Sequence, residues 1–146
     1  MKIIRYQDAT GAIGYGRRHD DGHISRLTGD LFTGLSETDE SLVDAKTLAP
    51  IEPRDIFCIG ANYRKHAAES GVAAPDFPVV FMKNSGAVQN PEDPIVLPRH
   101  LKSDAVDYEC ELAVVIGKRC HNVAKSDALD HVLGYTCAND VSARDW

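Results

Sequence analysis

The sequence predicts a mixed, mainly β fold with short helices. Three observations carry this. Apolar runs are short and bounded by turn residues. Helical patterns last about two turns at most. No alternation of strands with longer helices, the mark of a parallel sheet, is present. At 146 residues and 43% hydrophobic content, the chain is long enough for one domain with a core.

The elements follow in order. M-K-I-I-R-Y, A-I-G-Y-G-R-R and H-I-S-R-L read as three strands, joined by the turns Q-D-A-T-G and H-D-D-G. Together they predict a small meander, and residues 1–50 are expected to form a β-rich N-terminal region. G-A-I-G-Y-G at 11–16 has the wrong glycine order for a dinucleotide fingerprint, and no helical pattern follows it. Residues 36–48 are mixed and read as holding a short helix. L-A-P-I-E-P-R-D, 48–55, reads as a linker with two prolines. D-I-F-C-I-G is a buried strand. A two-turn helix fits between Asn62 as N-cap and Gly71 as stop. P-V-V-F-M-K, 78–83, is a strand, and P-E-D-P-I-V-L-P, 91–98, an extended edge. V-D-Y-E-C-E-L-A-V-V-I-G, 106–117, is one long strand. S-D-A-L-D-H-V-L-G is a short helix capped by Ser126 and stopped by Gly134, and Y-T-C-A-N-D-V-S, 135–142, a final strand.

Charge and cysteines exclude several classes. Sixteen Lys and Arg stand against 22 Asp and Glu, a net charge of −6. That argues against nucleic acid, which calls for a basic face, and suits a protein that binds a cation. No apolar run approaches the ~20 residues of a membrane span. The N-terminus lacks a signal-peptide core. Cys58, Cys110, Cys120 and Cys137 form no C-x-x-C pair and read as reduced thiols of a cytoplasmic protein, with no spacing for zinc.

The run at 106–117 holds the chemistry. Side chains alternate across a strand. Val106, Tyr108, Cys110, Leu112, Val114 and Ile116 form a core face, and Asp107, Glu109 and Glu111 open the other. Residues two apart stand ~6.7 Å apart, so Glu109 and Glu111 can lean onto one ion. Asp107 and Glu111, ~13 Å apart, cannot share it. Hard oxygen ligands suit Mg²⁺, Mn²⁺ or Ca²⁺. The residues alone also allow a solvated face paired with Lys or Arg. Asp140, in N-D-V-S-A-R-D, is either a third oxygen ligand or a turn aspartate. His66 and Glu69, spaced i and i+3, share a helix face. They read either as an oriented imidazole base or as an exposed surface pair.

G-A-N-Y-R-K-H-A-A-E, V-D-Y-E-C-E-L-A-V-V-I-G and G-Y-T-C-A-N-D-V-S-A-R-D, in this order and spacing, closely resemble the fumarylacetoacetate hydrolase family, in its bacterial fumarylpyruvate or acylpyruvate hydrolase-like form. The resemblance covers about residues 50–146, and 51–146 are expected to be the first part of the catalytic domain. It implies β-sheets rolled around the site and a homodimer when full length. It also implies Mg²⁺ or Mn²⁺, with Ca²⁺ as a substitute, held by Glu109, Glu111 and Asp140. His66 and Glu69 match the family's catalytic pair. Arg144 and Lys83 are read as substrate contacts, and Tyr63 as packing. The implied activity is hydrolysis of a carbon–carbon bond in a β-diketo or acylpyruvate-type acid. The alternatives are decarboxylation or isomerisation of 2-oxo diacids, or an inactive, truncated metal-binding domain. The ending N-D-V-S-A-R-D-W has no helix stop or polar tail and reads as cut within an element.

Overall fold

The computed structural model describes all 146 residues, Met1 to Trp146. It holds eleven strands, one α-helix and two 3-10 turns. The first five strands are β1 (Lys2–Gln7), β2 (Ile13–Arg18), β3 (Ile24–Asp30), β4 (Gly34–Ser41) and β5 (Lys46–Leu48). They form one sheet in the order β4-β3-β2-β1-β5, antiparallel throughout. The meander is therefore present, and two further strands extend it. The first turn is closed by Asp8, whose Oδ1 accepts the N–H groups of Thr10 and Ala12, each at 2.9 Å. Gly11, at φ +87°, supplies the left-handed residue that the turn requires.

One expectation fails in this sheet. Residues 36–48 contain no helix; they form most of β4 and all of β5. Pairing overrides the polar composition here. Glu37 lies opposite Leu27 and is bound by Arg17 Nη1 at 2.6 Å and His19 Nε2 at 2.9 Å, and also by Ser25 Oγ. Residues 49–55 join no strand or helix, as a linker does, but the start of the segment is anchored in the sheet. Leu48 closes the sheet against Arg5, and Leu48 and Ala49 are buried with Tyr6 and Leu27.

The rest of the chain is built from paired strands. β6 (Ile56–Gly60) pairs with β7 (Val79–Lys83), with α1 (Arg64–Glu69) between them. β8 (Val106–Asp107) pairs with β11 (Ser142–Ala143), and β9 (Cys110–Ile116) with β10 (Val132–Asn139). The N-cap of α1 is Tyr63 rather than Asn62, and no side chain caps it. Its end is as expected. Gly71, at φ +66°, donates to Ala68 O, and Val72 donates to Ala67 O. Those two bonds are the Schellman pattern. Residues 91–98 join no sheet.

The long acidic strand is not continuous. It breaks at Tyr108–Glu109, and its two halves pair with different partners. Its expected core face is open: Tyr108 is 78% exposed and Leu112 59%, with Val114 and Ile116 also exposed. The β9–β10 ribbon has no second layer over that face. The helix expected at 126–134 is instead a 3-10 turn, Lys125–His131, with Ala124 rather than Ser126 at its N-cap position and no side-chain cap. Gly134 lies inside β10, where the register slips between Val132 and Gly134.

Candidate metal centre

The break in the acidic strand builds the site. As β10 ends, the Asp140 N–H donates to Glu109 O at 2.9 Å, and the Glu109 N–H donates to Asn139 Oδ1 at 3.2 Å. Ala138 lies opposite Glu111 in the ribbon. These contacts gather carboxylate oxygens of Glu109, Glu111 and Asp140 within 4.8 Å of one another. Two ligands on opposite sides of an ion with bonds of ~2.1–2.4 Å stand ~4.2–4.8 Å apart, so one ion can reach all three.

The surroundings fit a hard cation. Asp140 is buried, at 8% exposed, and its Oδ1 has no hydrogen bond of ordinary geometry. The Lys83 ammonium lies against that oxygen as an ion pair. The Glu111 carboxylate has neither a hydrogen bond nor an ion pair within the chain. Burial pushes its carboxyl above the ordinary range; the charges of Asp140 and Glu109 add to this, and Lys83 opposes it. A crowded set of acids with one member short of a counter-charge is suited to Mg²⁺, Mn²⁺ or Ca²⁺.

Each expected site residue has a definite place. Lys83, the last residue of β7, points into the site and donates to Val141 O at 2.7 Å and Ser142 Oγ at 3.3 Å. Arg144 bridges two acids: Nη2 lies 2.8 Å from Glu109 and 3.0 Å from Asp107. Bonds to Glu109 and Asp107 raise its already high pKa. Asp107 remains outside the cluster of Glu109, Glu111 and Asp140. It lies on β8 opposite Ser142, and its charge is balanced by Arg144.

His66 Nε2 is 3.9 Å from Glu109 Oε1. Glu69 is exposed and makes no hydrogen bond or ion pair with His66. The orienting contact expected within α1 is therefore absent, and the imidazole faces the carboxylate cluster instead. A six-residue helix frays easily, and only Ala67 of α1 is buried, so nothing packs Glu69 against its neighbour.

Three contributors take roles that the sequence does not assign them. Tyr63 does more than pack: its hydroxyl accepts the Leu112 N–H at 2.8 Å, tying the start of α1 to β9. Asn139 holds Glu109, as described above. Cys58, on β6, lies near the acids. Burial pushes its thiol pKa up, with Asp140 and Glu111 adding to the effect. The period-two pattern of D-I-F-C-I-G puts Cys58 on one face with Ile56 and Gly60, but nothing in the sequence aims that face at Asp140.

A carboxylate triad at the junction of paired strands, in a mainly β fold, defines a candidate divalent-metal protein. The chain belongs to the fumarylacetoacetate hydrolase family: residues 55–146 match its C-terminal family model, and residues 1–50 match the Rv2993c-like N-terminal model. It is 55% identical over 103 residues to a fumarylacetoacetate hydrolase domain-containing protein 2 homolog of Dictyostelium discoideum, covering 70% of this chain and 33% of that protein. It is 51% identical over 100 residues to the mitochondrial oxaloacetate tautomerase fahd2 of Xenopus laevis, covering 68% and 31%. The solved structure of 5-carboxymethyl-2-hydroxymuconate delta-isomerase from Mycobacterium smegmatis superposes with a TM-score of 0.84 at 35% identity. That match covers 99% of this chain and 56% of the isomerase. The chain thus spans about a third of the length of these two relatives and about half that of the solved structure. No helix is long and apolar enough to cross a membrane.

Proposed function

We propose that the whole protein is a divalent-metal-dependent hydrolase that cleaves a carbon–carbon bond in a β-diketo or acylpyruvate-type acid. One observation carries this reading: Glu109, Glu111 and Asp140 converge within 4.8 Å, with His66 beside them. A divalent ion there would polarise the carbonyl oxygens of the acid and offset the negative charge that develops as the bond breaks. His66, 57% exposed, is open to water and is the side chain that would take its proton. Arg144 and Lys83 supply positive charge on two sides of the cluster and would attract an anionic substrate.

A second reading keeps the site and changes the reaction to isomerisation, tautomerisation or decarboxylation of a 2-oxo diacid. Two observations favour it. His66 lacks the Glu69 contact that would orient it towards a water, and moving a proton to or from carbon requires a base but no aligned water. The tautomerase and isomerase among the similar proteins support the same chemistry. A substrate panel on the full-length protein with Mg²⁺ separates the readings. Cleavage of acylpyruvates supports the hydrolase. Loss of the oxaloacetate enol without cleavage supports the tautomerase, and CO₂ release the decarboxylase. Turnover that is unchanged in His66→Ala would remove the proposed base from every version.

A further inference from the structure

We infer that Lys83 tunes the carboxylate cluster's hold on its metal: its ammonium and a divalent ion draw on the same Asp140 carboxylate, so Lys83 keeps binding weaker and more exchangeable than three acids alone would make it. The inference rests on the metal reading of Glu109, Glu111 and Asp140.

Three features support it. First, the two basic side chains of the cluster are distributed unevenly. Arg144 takes Glu109 and also spans Asp107, Lys83 takes Asp140, and Glu111 has neither. Lys83 therefore acts on the most buried of the three acids, where a charge is least screened. Second, the lysine is held in place. Its Nζ is fixed by Val141 O and Ser142 Oγ as well as by Asp140, and its side chain is only 26% exposed. An ammonium tied at three points on the segment after β10 cannot move away freely as a surface lysine would. Third, its other direct partners, a backbone carbonyl and a hydroxyl, are uncharged, so its positive charge bears on the cluster, on Glu111 as well as on Asp140.

A fixed positive charge roughly 4–5 Å from a bound dication weakens binding by at least about tenfold, even with strong dielectric screening. Lys83 is on this account a positioning residue: it acts through Asp140, while its bonds to Val141 and Ser142 fasten β7 to the end of β10.

The test is Mn²⁺ titration of the full-length protein by calorimetry and by the spin resonance of free Mn²⁺. Lys83→Gln removes the charge and keeps an N–H donor for Val141 O; Lys83→Met removes both. Lys83→Arg restores the charge, and Lys46→Met, which breaks the distant Lys46–Asp93 pair, is the control. The expected result is at least tenfold tighter Mn²⁺ binding in Lys83→Gln, faster loss of free Mn²⁺ signal at low metal, near wild-type affinity in Lys83→Arg, and no change in Lys46→Met. Lys83→Met serves as a second charge-removing variant should Lys83→Gln unfold. Equal or weaker binding in a folded charge-removing variant would overturn the inference and leave the metal reading intact. A folded wild type that binds no Mn²⁺ would sink the metal reading, and the inference with it.

Discussion

Six of the eight buried residues, Tyr6, Gly16, Ser25, Leu27, Leu48 and Ala49, lie in the first 50 positions; only Ala67 and Asp140 follow. The five-stranded sheet encloses its own apolar core, and the paired strands after it do not. The whole chain exposes 11487 Å², against about 7,400 Å² for a compact protein of 16.0 kDa. Much of the excess lies on the ribbons, where Phe57, Met82, Leu112 and Tyr135 are each more than half exposed. Across the candidate site the ribbons are joined by polar ties instead: Lys83 to Val141, Tyr63 to Leu112, and Arg144 to Asp107 and Glu109. The first region closes a core within these 146 residues; the second, in a chain that spans about half of its solved relative, leaves apolar faces open and is joined at the candidate site by charged and polar side chains.

The sharpest way to break this comparison is to attack the buried core. Tyr6→Ala, at a side chain 1% exposed, should cost about 3–5 kcal/mol in denaturant unfolding of the sheet. An unaltered midpoint would mean the sheet does not rest on that core. Next in size is metal addition. Mn²⁺ at one hundred times its Kd should stabilise the ribbons by about 2.7 kcal/mol. Hydrogen exchange should slow at Glu109–Glu111 and Asn139–Val141 and not in β1–β5; uniform slowing would show that the two regions are energetically one.

Glu111→Gln should separate stability from binding. Removing an unpaired, partly buried charge should raise the melting temperature in chelator and weaken Mn²⁺ binding. A fall in both would mean that Glu111 has a partner in solution. In the sheet, Glu37 is held at about 2 by hydrogen bonds from Ser25 and Arg17. A depressed carboxyl contributes stability above its ordinary value of 4.5 and loses it as pH falls towards 2. Glu37→Gln should therefore flatten the acid limb of the melting profile between those values. The smallest effect is expected at Leu112→Ala, within about 0.5 kcal/mol in this chain because the side chain is 59% exposed.

The sequence made much of the site legible, and the reasons are local. Strand alternation singles out Glu109 and Glu111 and sets Asp107 apart, although the strand breaks at Tyr108–Glu109 and the break sets their final approach. Asp140 was one of two open readings until the resemblance favoured it, and the structure brings its carboxylate to the other two. The misreadings share a cause, since each depends on what lies opposite in space. Residues 36–48 read as a mixed segment holding a short helix, but Arg17, His19 and Ser25 receive Glu37 and the segment pairs as a strand. The alternation at 106–116 sorts the side chains by face, and in a chain that spans about half of its solved relative the apolar face stands open. The i, i+3 spacing of His66 and Glu69 placed both on one helix, yet could not reveal that Glu109 is the carboxylate His66 approaches. A pairing rule inside an element is visible in sequence, whereas contacts between elements are not.

The central claim is that Glu109, Glu111 and Asp140 share one divalent ion. Mn²⁺ titration of the full-length protein, wild type against the double variant Glu109→Gln with Glu111→Gln, tests it most directly. The wild type should bind one saturable ion per chain, and the variant should bind it more weakly, by on the order of 10²-fold or more. Equal binding by the two proteins would contradict it.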